Sequence, residues 1–293
     1  SMKDNFNKGL VLTSLGSFWW GFIGVIYFEY VSFIGHTELV VHRCLWTAMM
    51  LIITTSFLSK WNIFLKVSSN LKNLFYLFIS GALIFINWAV WIYAVATNRI
   101  IDASFGYFIM PIISVLLGYV FFKEQLNRKR IFSILLVIIS ILILIIFNLK
   151  SLPWVGIIVA LSWAFYNLVR KKINVDTDIG LLIESLFIFP FALVVFYFII
   201  QSGFNDFSIS KPGLSFFLIL AGPMTVIPLF LYVRGVELIG LGPTGMIFYI
   251  TPTLQFILGF FYYNEDFSLV KFVSFIIIWI AVIIYLKDLY ETN

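Results

Sequence analysis

The sequence has 293 residues, 62% hydrophobic and 11% charged, with a formal net charge of +5. A soluble domain carries about a quarter charged residues, and a chain of this size could not hide so much apolar surface from water. Composition therefore excludes a soluble globular protein and predicts an all-α polytopic membrane protein, because a barrel would alternate apolar and polar residues instead of running apolar for long stretches.

Taken in chain order, ten spans are expected, at 9–31, 38–58, 73–97, 103–122, 130–148, 153–170, 179–201, 213–236, 243–263 and 269–287. Each is close to the roughly 20 residues that cross a bilayer as a helix. Asn98-Arg99-Ile100-Ile101-Asp102 is a polar turn between the third and fourth. Gly240-Leu241-Gly242-Pro243 is a breaker between the eighth and ninth. Short loops leave no room for a nucleotide-binding domain. Ser1 ahead of Met2 reads as a tag-cleavage remnant, and the long first run as a span, not a cleaved signal.

Basic residues orient the spans. With the N-terminus in the cytoplasm, inner segments hold Lys3, Lys8, Lys60, Lys66, Lys72, Lys123, Arg128, Lys129, Arg130, Arg170, Lys171, Lys172 and Lys287. Outer segments hold only Arg99, Lys150, Lys211 and Lys271, so both termini are expected in the cytoplasm. The positive charge thus reads as topology, and no nucleic-acid partner is expected. With one cysteine, Cys44, and two histidines, His36 and His42, no metal site is expected. No glycine-rich nucleotide loop, nucleophile elbow or paired catalytic acid is present, so neither a cofactor nor an enzyme is expected.

An internal repeat is legible. Residues 107–125 read YFIMPIISVLLGYVFFKEQ and residues 248–266 read FYITPTLQFILGFFYYNED. Pro111 matches Pro252, Gly118 matches Gly259 and Glu124 matches Glu265 at one offset of 141 residues. The same offset aligns Ala94-Val95 with Gly235-Val236. This predicts two five-helix repeats, 1–150 and 151–293, in one integrated membrane domain. Five is odd, so the second repeat is inverted, an arrangement of secondary transporters with the site near the midplane. Glu124 and Glu265 read as structural markers of span ends. Pro111 and Pro252 each remove a backbone donor inside a span and are assigned to gating.

Charges within the membrane cost roughly 2.5–3.5 kcal/mol each and default to function. Arg43 offers a planar fork for a carboxylate or phosphate; its competing role is a pair with Glu38 or Glu29. His42 is the one intramembrane group whose unperturbed pKa is near neutrality; it is a candidate proton relay or substrate contact, against the commoner role of a packing histidine. Glu184 is a candidate for proton coupling too, and could instead pair with Arg170 or Lys171. Arg234 and Glu237, at i,i+3, form a pair or inner gate. Trp19, Trp46, Trp88, Trp91, Tyr107, Trp163, Tyr166 and Tyr249 fall mid-span, as do Trp20 and Tyr232. The first eight are assigned to an aromatic cavity able to hold an ammonium by cation–π attraction. Asn87 and Gln255 are the deepest neutral hydrogen-bonding groups, and either contact substrate or bond neighbouring helices.

Several blocks together resemble a family. They are His42-Arg43-Cys44-Leu45-Trp46, Asn87-Trp88, Ala103-Ser104-Phe105-Gly106-Tyr107-Phe108 leading into Pro111, and Ser162-Trp163-Ala164-Phe165-Tyr166 before Arg170-Lys171-Lys172. Gly222-Pro223 to Pro228-Leu229 and Gly245 to Pro252-Thr253 complete the set. Over nearly its whole length the chain resembles the drug/metabolite transporter superfamily, in its EamA-domain branch and of the RarD type. The resemblance implies a multi-pass protein of the bacterial inner membrane that exports or exchanges small metabolites or drugs by alternating access.

Together these readings predict a secondary transporter of small polar or zwitterionic metabolites, such as amino acids or quaternary amines. Its partners are the substrate, the lipid bilayer and, if flux is coupled, protons. The alternative is a multidrug or lipophilic-cation exporter, which calls for an essential cavity carboxylate and little dependence on Arg43.

Overall fold

The computed structural model describes residues 1–97, 99–148, 153–264 and 266–292, setting aside the side chains of 92, 95, 96 and 100–102. Asn98, Lys150 and Glu265, and the side chains of Val95 and Asp102, therefore lie outside what is described. The described residues are helical throughout: α1 (Met2–Phe18), α2 (Gly24–Tyr30), α3 (His36–Phe57), α4 (Trp61–Ser68), α5 (Leu71–Ala96), α6 (Ile100–Phe122) and α7 (Arg128–Asn148), followed by α8 (Trp154–Lys172), α9 (Thr177–Ser202), α10 (Pro212–Ile219), α11 (Ala221–Ile239), α12 (Leu241–Ile247), α13 (Ile250–Phe261) and α14 (Leu269–Thr292). A π-helical turn, Trp19–Ile23, joins α1 to α2 in one continuous stretch.

Nine helical stretches among the described residues are long and apolar enough to cross a membrane. The protein is thus a multi-pass membrane protein. The sixth expected span, α8, is a 19-residue helix outside that set, its last turn being Arg170, Lys171 and Lys172. A short helix the sequence reading did not foresee, α4, sits between the second and third spans.

Prolines divide two spans and spare others. The eighth breaks into α10 and α11 at Leu220, three residues before Pro223, and the ninth into α12 and α13 at Phe248–Tyr249, just before Pro252. Proline lacks the N–H and crowds the carbonyl four residues earlier. The break is bridged by tighter bonds, Phe248 N to Gly245 O at 3.2 Å and Tyr249 N to Met246 O at 3.3 Å. Pro111 and Pro190 instead lie inside uninterrupted helices. The two duplicated prolines thus differ locally: Pro252 follows a break in its span, and Pro111 does not.

The packing follows a reciprocal scheme. α1 lies on α11 and α6 on α8; α5 lies on α8 and α9, and α3 on α9 and α11; the Trp19–Ile23 turn lies on α13, α12 crosses α6, and α7 pairs with α14. Exchanging the first five expected spans for the second five leaves these pairings unchanged. Small residues allow the close approaches, as expected where lipid supplies no hydrophobic drive between helices. A Cβ on Gly106 would come within 2.5 Å of the Gly156 carbonyl, and one on Gly222 within 2.5 Å of the Trp46 carbonyl. Glu124, beyond the end of α6, accepts the N–H groups of Leu241 and Gly242 at the start of α12, both at 2.9 Å. Burial pushes its pKa up, against those two bonds.

Candidate functional site

An open cavity of about 810 Å³ lies between the ends of α3 and α11 and the start of α9. Met50, Leu51, Lys60, Lys171, Asp178, Val226, Arg234 and Glu237 are among its lining residues. Arg43, Trp88 and Trp91 are not. The expected aromatic cavity therefore differs from the open space: the rings fill their own volume, and the opening lies towards one end of the bundle. Leu51 and Val226 line both this cavity and a small internal void bounded by Thr47, Trp88, Glu184 and Ser185.

Arg43 projects from α3 next to Trp88. Its Nε donates to Thr225 Oγ1 on α11 at 3.0 Å. The guanidinium lies 4.7 Å from the Trp88 ring centroid and 5.2 Å from that of Phe28. Each such contact is worth roughly 0.5–2 kcal/mol. Among the described residues Arg43 has no carboxylate partner, and its two Nη groups donate to nothing. The pairing with Glu38 or Glu29 left open by spacing is not formed. The side chain is held at one edge while its fork stays free.

Beside Arg43 runs a chain of aromatic contacts. Trp91 meets Tyr107 at 5.5 Å between centroids, and Tyr107 meets Phe248 at 5.8 Å. Phe248 in turn lies 6.1 Å from Trp20, 6.5 Å from Trp163 and 5.7 Å from Tyr232. Trp163 stacks on Tyr166 at 5.5 Å. The break at Phe248–Tyr249 presents Phe248 to this cluster. Trp163 Nε1 and Tyr232 Oη are buried there without a hydrogen-bond partner.

Other expected site residues fall elsewhere. Tyr249 faces α6 and α14 and donates to the Phe108 carbonyl at 2.7 Å. Asn87 donates to the Val159 carbonyl and to Ser162 Oγ, both at 3.1 Å, which is a bond between α5 and α8. Trp19 is half-buried on the π turn with Nε1 unpartnered. Gln255 is half-buried on α13, and its side chain makes no hydrogen bond among the described residues.

His42 is locked. Trp46 Nε1 donates to its Nδ1 at 3.0 Å, and its Nε2 lies 3.0 Å from Glu38 Oε2. Indole is a donor only, so Nδ1 must accept and the single proton belongs on Nε2. A second proton would set one N–H against another. Glu38 also accepts the backbone N–H groups of Asp206 and Phe207 at 2.8 and 3.0 Å, strapping the 203–211 loop onto α3. Phe207 then covers both rings, 4.9 Å from His42 and 5.7 Å from Trp46. His42 and Trp46 are thus engaged in holding that loop.

A second polar centre joins α8, α9 and α11. The fully buried Arg170 bonds Glu184 at 2.9 Å and lies 3.7 Å from Glu237. Glu184 also accepts from Tyr166 at 2.9 Å and from Ser80. Glu237 accepts from Thr177 at 2.6 Å and pairs with Arg234 at 3.1 Å. The Arg170–Glu184 and Arg234–Glu237 pairs both appear among the sequence readings. Thr177, Ser80, Thr225, Phe28 and Phe248 do not. Small hydroxyls and phenylalanines carry no distinguishing signal in so apolar a chain.

The fold and its polar centres are those of a helical membrane transporter. The EamA-like transporter family matches residues 7–146 and again 151–287, and the chain belongs to that family. It is 32% identical to protein RarD of Escherichia coli over 98% of this chain and 96% of that one. It is also 32% identical to the uncharacterized transporter YojE of Bacillus subtilis, over 95% and 93% of the two chains. A solved crystal structure shares the fold at a TM-score of 0.72 and 13% identity, covering 94% of this chain and 96% of that one. The protein is accordingly a multi-pass, inner-membrane transporter of the EamA/RarD type.

Proposed function

We propose that the chain is a secondary transporter that exports or exchanges small zwitterionic metabolites, such as amino acids or quaternary amines. Two five-helix halves, 1–150 and 151–293, rock about a central site by alternating access. The two family matches and the reciprocal packing support this division, with α8 as the tenth crossing and both termini in the cytoplasm. The observation that carries the substrate class is the free fork of Arg43, oriented by Thr225 and sandwiched by Trp88 and Phe28. A carboxylate binds two parallel Nη donors well. Trp91, Tyr107, Trp163 and Tyr166, with Trp20, Tyr232 and Phe248, are packed on one another here, and separation of the halves would open their π faces to an amine. Substrate enters from the 810 Å³ vestibule past Leu51 and Val226. The Arg234–Glu237 pair and the Pro252 break act as gates.

The test is flux into liposomes for amino acids, betaines and lipophilic cations. Arg43→Ala is expected to abolish transport of the carboxylate-bearing substrates. Unchanged transport sinks the anchor. The cation-exporter reading draws on one feature, Glu184 lining the void beside Trp88. Arg170 already matches that charge, so a lipophilic cation would have to displace it.

A further inference from the structure

Near the vestibule two lysines converge on one tyrosine. Lys72 is in the first turn of α5 and Lys172 ends α8. Their Nζ atoms lie 6.0 and 5.7 Å from the centroid of the Tyr76 ring. Both lysines are exposed and Tyr76 is half-buried. Among the described residues neither ammonium has a carboxylate partner, and Tyr76 Oη has no hydrogen-bond partner. Asp176 and Asp178, the acids that follow Lys172 in sequence, are engaged by Lys60 at 3.4 and 3.0 Å. Two like charges over one ring repel unless an anion comes between them.

The surroundings are those of a membrane surface. α4 buries Val67, with Ile63 and Phe64, against Leu77 of α5 and Ile179 and Ile183 of α9. Its other face leaves Leu65 65% exposed, and beside Tyr76 the Phe75 ring is 62% exposed. A short helix with one face buried and the other exposing Trp61 and Leu65 beside Asn62 and Lys66 suits the headgroup boundary. A free phosphate would use the lysines and the hydroxyl, but not the apolar surface next to them. Basic pockets between membrane helices take lipid headgroups.

We propose that Lys72, Tyr76 and Lys172 bind the phosphate of an anionic phospholipid, whose acyl chains lie against the apolar surface presented by Phe75 and α4. The two ammonium groups neutralise the phosphate and the tyrosine hydroxyl donates to it. This site stands whatever the transported substrate is.

Native mass spectrometry of the full-length protein in mild detergent tests it, with phosphatidylglycerol and phosphatidylcholine of identical chains. The wild type is expected to retain phosphatidylglycerol several-fold over phosphatidylcholine. Lys72→Gln with Lys172→Gln should abolish that preference, and Lys72→Arg with Lys172→Arg should keep it. Lys3→Gln, which removes a similar lysine–tyrosine contact to Tyr290, should leave it unchanged. The proposal is overturned if the wild type shows no preference or if the double glutamine variant retains it. Displacement of the lipid by millimolar inorganic phosphate would overturn it too, by making this a free-phosphate site.

Discussion

Arg43 of α3 and Thr225 of α11 are joined by a 3.0 Å hydrogen bond through Nε, the one guanidinium nitrogen that does not belong to the terminal fork. Thr225 is buried, at 1% exposure. It therefore sets the direction in which the two free Nη groups point.

Thr225→Val keeps the shape of the side chain and removes the acceptor. Leaving a buried donor unsatisfied costs about 1–3 kcal/mol. Affinity for carboxylate-bearing substrates is expected to fall by roughly 5- to 150-fold on that scale, while Thr225→Ser retains it. Equilibrium binding to the purified protein checks this, and equal affinity in all three proteins refutes the orienting role.

Arg170 and Glu184 form a buried pair, and breaking one costs about 3–5 kcal/mol because the surviving charge is stranded. Arg170→Met and Glu184→Leu should each lower thermal stability in detergent sharply. The double variant should recover part of the loss, since neither charge of the pair is stranded, although Tyr166 and Ser80 still lose their acceptor. A double variant as unstable as the two singles combined would contradict this account.

Glu38→Ala removes the acceptor for Asp206, Phe207 and His42 together. The 203–211 strap should then open, and limited proteolysis should cut it several-fold faster than in the wild type. The helical core should keep its circular dichroism. Unchanged cleavage would mean that Phe207 packing alone holds the strap.

Lys60 lies beyond the end of α3 and meets Asp178 and Asp176 at the start of α9. Burial works against its charge, but Asp178 and then Asp176 outweigh it, so its pKa stands above the ordinary lysine value. A raised lysine pKa stabilises fully below the unfolded value, near 10.4, and the contribution fades as pH rises through the folded value. Lys60→Gln should therefore lower the unfolding temperature at pH 8 and make less difference at pH 11. A gap that stays constant across that window would remove the charge from the explanation.

The helical spans were legible because a bilayer demands long apolar runs, and nothing else in the chain competes with that signal. The short helix α4 was not, since eight residues at an interface carry no spanning pattern. The Arg234–Glu237 pair followed from i,i+3 spacing. His42 shows the limit of such reasoning: its partners Glu38 and Trp46 sit four residues to either side on the same helix, yet the sequence left relay, substrate contact and packing all open for it. The meaning of Glu124 lay in which backbone it reaches, 117 residues onward. Sequence position marked it as a span end, and only the fold reveals it as a cap on another helix.

The α1–α11 pairing bears on how the protein is made. α1 and its partner are separated by some 200 residues, which at about 5–20 residues per second is a wait of roughly 10–40 seconds between their syntheses. During that interval Thr13 is already satisfied by its own helix, donating to the Gly9 carbonyl at 2.8 Å. The groove around Gly9 and Gly16, which later receives Ile239 and the Pro228 carbonyl, can meanwhile be filled only by lipid tails. Contacts such as α6 with α8 and α5 with α8 join neighbours in the chain and can close during that wait, whereas α1 gains its main partner only late, so its docking is a post-insertion event.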